Sequence, residues 1–446
     1  MDLSQPLRAL GHRNFRLFFL GQSVSLIGTW VQQLAMSWLV YELTGRSPFW
    51  LGLIGFLGQV PTLILAPFAG VWVDRVNRHR LILLTQTLAM LQAFTLAGLT
   101  YAGVVQVGHV VALSLALGVV NVFDMTARQA FLTEMVRRRE DLANAIALNS
   151  SMVNGARLAG PAVAAALLAT KGTAFCFLAN GFSYLAVLAA LLAMNVEPRK
   201  MAHQRPHFWQ GLREGMAYAG GFVPIRAILL LSALVSLTGL AHTVLLPVFA
   251  TDVFHGDAAT LGLLSGASGV GALAAAVALA ARRSVIGLGR WVTFCPALLG
   301  AALVGFSFAD RLPFALPMLA VAGFALMANL AASNTILQTI VEEDKRGRVM
   351  SLYTMCFMGV APVGSLLAGW LAENIGAANT LRIEAVACLA GSILFYTALP
   401  RLRAAVRPLY VTLGILPEVG SGVFVPVGPA THPLAPLDDA AAIKRG

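Results

Sequence analysis

Long apolar stretches alternate with short polar turns along almost the whole chain. An α-helix rises 1.5 Å per residue, so about 20 residues cross the roughly 30 Å of hydrocarbon in a membrane. Twelve stretches are long enough, and turns rich in Gly, Pro, Asn and charge separate them. The predicted spans are 15–42, 49–73, 81–103, 107–127, 143–169, 173–195, 225–251, 259–281, 290–309, 313–338, 348–372 and 377–399. The pattern predicts an all-α membrane protein with twelve transmembrane helices.

Two segments depart from this pattern. Residues 196–224 are polar and basic and predict a cytoplasmic linker. They divide an N-terminal six-helix bundle, residues 1–195, from a C-terminal six-helix bundle, residues 225–400. Residues 401–446 are rich in Pro, Gly and Ala, a composition typical of a poorly ordered tail, here predicted to be cytoplasmic.

Composition supports the membrane assignment. Hydrophobic residues make up 58% of the 446 residues and charged residues only 11%, against about 25% charged residues in a soluble domain. So little charge cannot cover a water-facing surface of this size, which argues against a soluble enzyme and a disordered scaffold. The net charge of +11 would suggest nucleic acid for a soluble protein, but in a membrane protein it reports topology, and we expect no nucleic-acid partner.

The basic residues are distributed very unevenly. All but five of the 31 Lys and Arg residues lie in the termini and the even-numbered connections. Cytoplasmic loops collect Lys and Arg, so both termini are predicted to be cytoplasmic, as an even number of spans requires. The five exceptions are Arg46, Arg157, Lys171, Arg311 and Arg382.

The two halves of the chain resemble each other. Ser25-Leu-Ile-Gly28 in span 1 matches Ser236-Leu-Thr-Gly239 in span 7, and Leu51-Gly-Leu53 matches Leu261-Gly-Leu263 at the start of spans 2 and 8. Gly160-Pro161 in span 5 corresponds to Ala361-Pro362 in span 11. Such repeats are typical of transporters in which two pseudo-symmetric bundles rock around a central site.

The connection between spans 2 and 3 carries a motif. It reads Gly70-Val-Trp-Val-Asp74-Arg75-Val-Asn77-Arg78-His79-Arg80, and resembles the loop signature of the major facilitator superfamily. Asn77 replaces the usual glycine, which is a mild change if the position is left-handed. Gly70 is expected to allow close approach of a neighbouring helix. The resemblance implies that Gly70, Asp74, Arg75 and Arg78 form a cytoplasmic gate; the alternative is topological charge alone.

Further segments are similar to bacterial exporters grouped with the enterobactin and macrolide efflux proteins. They are Asn14-Phe-Arg16, residues 38–45, 123–129, 144–149 and 334–338. Residues 156–165 resemble in part the glycine-proline signature of drug–proton antiporters, with alanine at several glycine positions. The resemblance implies secondary-active export, coupled to protons, from a bacterial inner membrane. Gly160, Pro161 and Pro362 are the predicted kink points between the bundles.

Polar residues within the spans are candidates for a central cavity. Arg157 lies midway along span 5, where an arginine is costly unless it meets water or a partner. Gln22, Ser25, Thr29 and Gln32 recur on one face of span 1, and Asn154, Asn180 and Asn329 add amides. Such a cavity suits neutral or amphipathic organic substrates. Alternatively, each amide ties neighbouring helices together.

Titratable residues give candidates for the gate and for proton coupling. Asp124 and Arg128 are one turn apart near the cytoplasmic end of span 4, so a local pair at the gate is expected. His242 and Glu384 are candidate coupling groups, although a lone His on an apolar helix is more often a packing residue. Glu42, Asp252 and Glu373 lie near the extracellular ends and are further candidates.

These features predict an exporter rather than an enzyme. The chain lacks a P-loop, its four cysteines have no CxxC spacing, and its His residues are scattered. We therefore expect no cofactor and no metal, and a monomer whose partners are membrane lipid, protons and a small-molecule substrate. An importer or a lysophospholipid flippase of the same fold is the alternative, and a membrane-embedded transferase is a more distant one.

Overall fold

A computed structural model describes residues 7–136, 138–196, 208–282 and 284–416, and within these residues the regular structure is entirely helical. The helices before the linker are α1 (Arg13–Leu43), α2 (Pro48–Val73), α3 (Arg78–Tyr101), α4 (Val107–Met135) and α5 (Leu142–Leu192). The later helices are α6 (Phe208–Gly221), α7 (Val223–Gly239), α8 (His242–Val248), α9 (Ala258–Ala280), α10 (Leu288–Ser307), α11 (Leu312–Ile340), α12 (Glu343–Thr354), α13 (Ala361–Ile375) and α14 (Ala377–Thr412).

The 51-residue run α5 contains two membrane crossings. Gly172 has φ +81° and ψ 178°, a backbone conformation that glycine adopts readily, and the chain reverses there. Before the reversal, His12 at the start of α1 contacts Asp141, so residues 142–171, here α5a, run parallel to α1. After it, Asn14 donates to the Asn195 carbonyl, so residues 173–192, here α5b, run back along α1.

The described part of the chain supports the predicted span number. Ten of its helical runs are long and apolar enough to cross a membrane, and α5 counts twice because of its reversal. Two of the ten runs combine shorter helices. Val223–Val253 contains α7 and α8, and Lys345–Ile375 contains most of α12 and all of α13. The more polar α1, at 31 residues, is long enough to be the twelfth crossing.

Three predicted boundaries differ from the structure. Helix α4 continues to Met135, eight residues beyond its predicted end at 127. The predicted linker contains α6, which packs on α12, where Arg348 pairs with Glu214 at 2.8 Å. Helix α14 extends to Thr412 and so occupies the start of the predicted tail. Residues 197–207 and 417–446 lie outside the described residues.

The buried apolar residues reveal how the two halves meet. We call the side with the α2–α3, α4–α5 and α9–α10 connections the basic face, and the opposite side the far face. Toward the far face, one apolar cluster includes Tyr41 from the N-terminal half and Phe249 from the C-terminal half. Toward the basic face the clusters are separate, one around Phe131 and the other around Leu402. Within the described residues, the halves therefore share a buried apolar core at the far face and have separate cores at the basic face.

The sequence repeat corresponds to a repeat of contacts. Gly28 of α1 packs against Ser183 of α5b, and its counterpart Gly239 of α7 packs closely on Leu299 of α10 and also lies in van der Waals range of Cys388 of α14. In both halves, then, the repeated glycine of the first helix meets the sixth crossing. These close contacts leave no room for a Cβ at Gly28, which explains why a small residue stands there.

Candidate functional site between the two halves

Two helix pairs form most of the contact between the halves, and each is built on the repeated Leu-Gly-Leu motif. Gly52 of α2 packs on α13, where a Cβ would overlap the Ser365 carbonyl oxygen and lie 2.9 Å from the Gly369 Cα atom. Its counterpart Gly262 of α9 packs on α5a, where a Cβ would overlap Ala165 and lie 3.1 Å from the Pro161 carbonyl oxygen. The glycines allow backbones of opposite halves to touch.

Polar contacts connect the same two halves at the far face. The Tyr41 hydroxyl donates to Asp252 Oδ2 at 2.7 Å, and Arg46 Nη1 lies 3.4 Å from Asp252 Oδ1. The Ser47 hydroxyl donates to Glu373 Oε2 at 2.9 Å, and the Phe49 backbone N–H donates to the same oxygen at 3.2 Å. Two of the three acids predicted near the extracellular ends, Asp252 and Glu373, thus bind residues of the opposite half, whereas Glu42 accepts a hydrogen bond from Trp38 within α1.

The signature loop at the basic face is connected within one half. Arg78 donates to Asp74 Oδ1 at 2.6 Å and to Glu134 Oε1 at 2.7 Å, and all three residues belong to the N-terminal half. Arg75 is exposed. Among the described residues, every hydrogen bond between the halves lies at the far face. In this conformation the space between the halves therefore opens to the basic face.

Two explanations offered for the signature loop are wrong for this conformation. Gly70 was expected to meet a neighbouring helix, but a Cβ there would have no atom within 4 Å. Asn77 was expected to tolerate a left-handed turn, but its φ is −69°. Instead, the Asn77 side chain caps α3 by accepting a hydrogen bond from the Arg80 backbone N–H at 3.0 Å. A capping residue suits this position better than glycine does.

Most of the predicted cavity amides are buried inside one half instead. Gln32 donates to Gln92 Oε1 at 2.9 Å and accepts from Asn180 Nδ2 at 2.7 Å, so this chain of amides connects α1, α3 and α5b. Gln22 and Ser25 are buried on the same side of α1. Their position corresponds to the alternative interpretation, in which amides tie helices together.

The remaining polar candidates occupy different environments. Asn329 is buried and donates to the Val292 carbonyl of α10, which lies within the C-terminal half. Asn154 is partly buried and donates to the Ser150 carbonyl of its own helix. Thr29 is exposed on α1 and donates to the Ser25 carbonyl at 3.0 Å. Of this set, only Thr29 and Asn154 have side chains accessible from outside the helix bundle.

Arg157 lies where α5a meets both α1 and α9. Its guanidinium is 5.8 Å from the centre of the Trp30 ring, and its Nε is buried without a hydrogen-bond partner in the described residues. Trp30 in turn packs directly on Gly160, one turn further along α5a. The backbone carbonyl oxygen of Arg157 would lie 3.1 Å from a Cβ at Gly269 of α9, which belongs to the other half. Arg157 therefore stands at the boundary between the halves.

The aromatic contact does not remove the cost of placing Arg157 there. An arginine at membrane depth costs about 2.5–3.5 kcal/mol on insertion scales. A cation–π contact returns about 0.5–2 kcal/mol, depending on desolvation. The balance is unfavourable without a further partner or water, which is the situation expected of a residue retained for function.

The three predicted kink residues have separate roles. The Pro161 carbonyl faces Gly262 of the other half, and Pro161 lies inside α5a. Gly160 packs on Trp30 of its own half. Pro362 lies in the first turn of α13, directly after a π-helical turn at Met355–Gly359, where a proline costs no helical hydrogen bond.

Asp124 and Arg128 form the expected pair, but the pair is buried within the N-terminal half. Arg128 Nε lies 2.7 Å from Asp124 Oδ2. Thr85 and Gln86 of α3 each donate to Asp124 Oδ1 at 2.8 Å, and Asp124 is only 3% exposed. The cluster therefore joins α3 to α4.

His242 and Glu384 are buried in the C-terminal half. His242 Nδ1 lies beside the Gly239 carbonyl oxygen, and Nε2 has no hydrogen-bond partner in the described residues. Glu384 is 5% exposed, and its Oε2 has no partner in the same part of the chain. The structure gives no hydrogen bond between the two side chains.

Two site residues escaped the sequence reasoning. Glu134, the second partner of Arg78, was placed in a connection because span 4 was ended at 127, eight residues before the observed end of α4. Tyr41, which bridges to Asp252, looks from sequence like an ordinary interfacial aromatic residue. Arg78 begins α3 and Glu134 lies at the end of α4, 56 residues later, so only the antiparallel arrangement of these two spans could have suggested the first.

Known proteins are similar to this chain in sequence and in fold. The transmembrane secretion effector family matches residues 4–410. The staphyloferrin A transporter of Staphylococcus aureus is 25% identical, with 85% of this chain and 95% of that protein aligned. The multidrug efflux pump Tap of Mycobacterium tuberculosis is 30% identical, with 78% and 84% aligned.

Solved structures agree on the fold. A bacterial homologue of the human lysosomal transporter Spinster, in an inward-facing conformation, has a TM-score of 0.65 at 14% identity and covers 92% of this chain and 99% of its own. A POT family transporter bound to a thioalcohol-conjugated peptide has a TM-score of 0.69 at 10% identity, covering 87% and 96%. Because the family match spans nearly all the helices described above, the chain belongs to the transmembrane secretion effector family, transporters of the major facilitator superfamily.

Proposed function

We propose that this protein exports small organic molecules from a bacterial cytoplasm by alternating access, in exchange for protons. The observation that carries the proposal is the asymmetry of contacts between the halves. They touch through glycines, hydrogen bonds and a shared core at the far face, and are separate at the basic face. The positive-inside rule assigns the basic face to the cytoplasm, so a substrate would enter from there. Both termini would then be cytoplasmic.

The relatives support export of siderophore-like or drug-like molecules. They are a staphyloferrin A transporter and a multidrug efflux pump, together with macrolide efflux protein A of Streptococcus pyogenes, which is 23% identical with 81% of this chain and 90% of that protein aligned. Proton exchange is supported by the partial antiporter signature around Gly160 and Pro161, with His242 and Glu384 as candidate coupling groups. Import, or the movement of lysophospholipid between leaflets, is the alternative use of the same fold.

Proteoliposomes with an imposed pH gradient test the proposal. The purified full-length chain is reconstituted, and movement of fluorescent cargo dyes of different charge is followed with the gradient present, absent or reversed. We expect uphill movement whose direction follows the gradient. Movement that does not depend on the gradient would contradict proton exchange but not transport. If no dye moves in a protein-dependent way, the proposal that the protein is an exporter is wrong.

Asp74→Asn is expected to slow transport at least tenfold. Asp74 pairs with Arg78 in the present conformation, and we propose that its charge meets the other half when the basic face closes. The Asp74 side chain is 62% exposed, so its surface pair contributes at most about 1 kcal/mol and folding should be little changed. Initial rates in proteoliposomes measure the effect. Glu342→Gln, which breaks a similar exposed pair with Lys345 at the same face, is the control and should keep its rate.

Tyr41→Phe is expected to loosen the far face. The change removes only the hydroxyl that donates to Asp252, a bond to a charged group worth about 1.5–3 kcal/mol when fully formed. We expect the far-open population to rise severalfold. Spin labels are placed at Val104→Cys and Asp310→Cys, one in each half, after the native cysteines are replaced. Pulsed electron paramagnetic resonance then measures the distance between the two labels. Trp38→Phe, which removes a donor to Glu42 within α1, should leave the distances unchanged; equal shifts in both variants would contradict the assignment.

A further inference from the structure

Among the described residues, the charged side chains at membrane depth have polar partners except for Arg157 and Glu384, and Glu384 is enclosed within the C-terminal half. Asp124 accepts two hydrogen bonds and pairs with Arg128. Arg382 donates to Ser307 and also lies over an aromatic ring. Arg157 has neither a carboxylate nor a hydrogen-bond acceptor among the described residues, and its one recorded contact is with the Trp30 ring. The fold therefore leaves a full positive charge without a counter-charge.

That charge lies where the halves separate. Arg157 is on α5a, whose backbone meets Gly269 of α9 in the other half, and its side chain reaches Trp30 on α1. Toward the basic face from this point the two halves have separate cores. A molecule entering between the halves would reach Arg157 at the depth where the far-face contact begins. The position suits a group that binds cargo.

The arrangement of the two side chains favours one ligand chemistry. The Arg157 guanidinium carries its N–H donors along the edge of a planar fork, and its central carbon lies 5.8 Å from the centre of the Trp30 ring. A carboxylate fits that edge with two parallel hydrogen bonds. The Trp30 ring lies beside the guanidinium and offers an apolar surface for the rest of the molecule. An acceptor that stays neutral would not supply the missing counter-charge.

We propose that Arg157 and Trp30 form a subsite for a carboxylate on an amphipathic organic anion, so that the cargo itself neutralises the arginine. The proposal rests on the proposed transport function and narrows its substrate class. It replaces the broader expectation of neutral or amphipathic cargo with cargo that carries at least one carboxylate beside an apolar body.

Three dansyl probes of similar size test the subsite. Dansylglycine carries a carboxylate, dansylglycinamide is neutral and dansylcadaverine is cationic. Their binding to the full-length protein in nanodiscs of neutral lipid is measured by energy transfer from tryptophan. We expect dansylglycine to bind at least tenfold more tightly than the other two, as a charge-assisted hydrogen-bond pair implies. Equal affinity for the three probes, or preference for the cation, would overturn the proposal.

Variants connect that preference to Arg157. Arg157→Gln should lower the affinity for dansylglycine to that for dansylglycinamide and leave the amide affinity unchanged, which also shows that the variant is folded. Arg157→Lys keeps the charge without the planar fork, so its affinity for dansylglycine should fall severalfold while its affinity for the other two probes stays the same. This variant tests the subsite if Arg157→Gln does not fold. Arg290→Gln, an exposed arginine on α10, is the matched control and should keep the full preference. A preference that survives in Arg157→Gln would contradict the subsite.

The two proposals can fail separately. If the wild-type protein prefers dansylglycine in binding but moves no probe in proteoliposomes, the transport function is wrong and the subsite stands. If the wild-type protein moves all three probes at equal rates and binds them equally, transport stands and the carboxylate subsite is wrong. Both results come from the same protein preparation.

Discussion

Replacing Gly52 by Leu will reduce transport by about 10- to 100-fold. Gly52 touches the backbone of α13 in the other half, and a side chain there would overlap the Ser365 carbonyl oxygen. Backbone atoms on both sides cannot yield as a flexible side chain would, so α2 and α13 must move apart. Overpacking of this kind costs about 1–3 kcal/mol. Because each 1.4 kcal/mol changes a population tenfold, the far-closed state would become a minor one.

The effect is measured by transport and by distance. The spin-label pair at Val104→Cys and Asp310→Cys should report a wider far face in Gly52→Leu, and Gly262→Leu at the symmetric contact should behave in the same way. Gly98→Leu on α3 is the control, because a Cβ at Gly98 has no atom within 4 Å. Full transport in Gly52→Leu with unchanged distances would show that the far face does not need to close as tightly as the structure has it.

Asp124→Ala will destabilise the protein by about 3 kcal/mol. The change leaves Arg128 without its counter-charge and removes the acceptor for both Thr85 and Gln86. Breaking a buried ion pair from one side costs about 3–5 kcal/mol because the remaining charge stays desolvated. Arg128 is 23% exposed, so the lower end of that range applies. The midpoint of thermal unfolding in detergent should fall by several degrees.

A double substitution separates stability from gating. Asp124→Leu combined with Arg128→Met removes both charges and should recover much of the lost stability, as apolar replacement of buried pairs often does. If the cluster only joins α3 to α4, the double variant should also recover transport. Restored stability without restored transport would instead support the gate role expected from the sequence. Unchanged stability in Asp124→Ala would contradict the buried cluster.

The same cluster shows how far sequence reasoning reaches. The Asp124–Arg128 spacing predicted a pair correctly, because residues four apart on a helix are neighbours whatever surrounds the helix. The Thr85 and Gln86 contacts could not be predicted, since they depend on how α3 and α4 are rotated against each other. The rotation of an apolar helix about its axis is set by packing against its neighbours. A helix that is apolar on all sides has no sequence pattern from which that rotation can be predicted.

Polar faces show the same limit. The spacing of Gln22, Ser25 and Gln32 correctly indicated one side of α1, but not what that side meets. It meets α3 and α5b, where Gln92 and Asn180 complete the hydrogen bonds. A stripe of amides facing a wet cavity and one facing another helix have the same spacing, so the stripe could not distinguish them.

The sequence by itself determined the spanning helices, the twofold repeat and the uneven placement of positive charge. These follow from lengths and local composition, because lipid requires about 20 apolar residues per crossing and loops keep their own Lys and Arg. Only the tertiary structure decided that the halves meet at the far face, that most amides are internal, and that Arg157 at the boundary has neither a carboxylate nor a hydrogen-bond acceptor among the described residues. Those features arise from contacts between helices that are distant in the chain, and packing selects them.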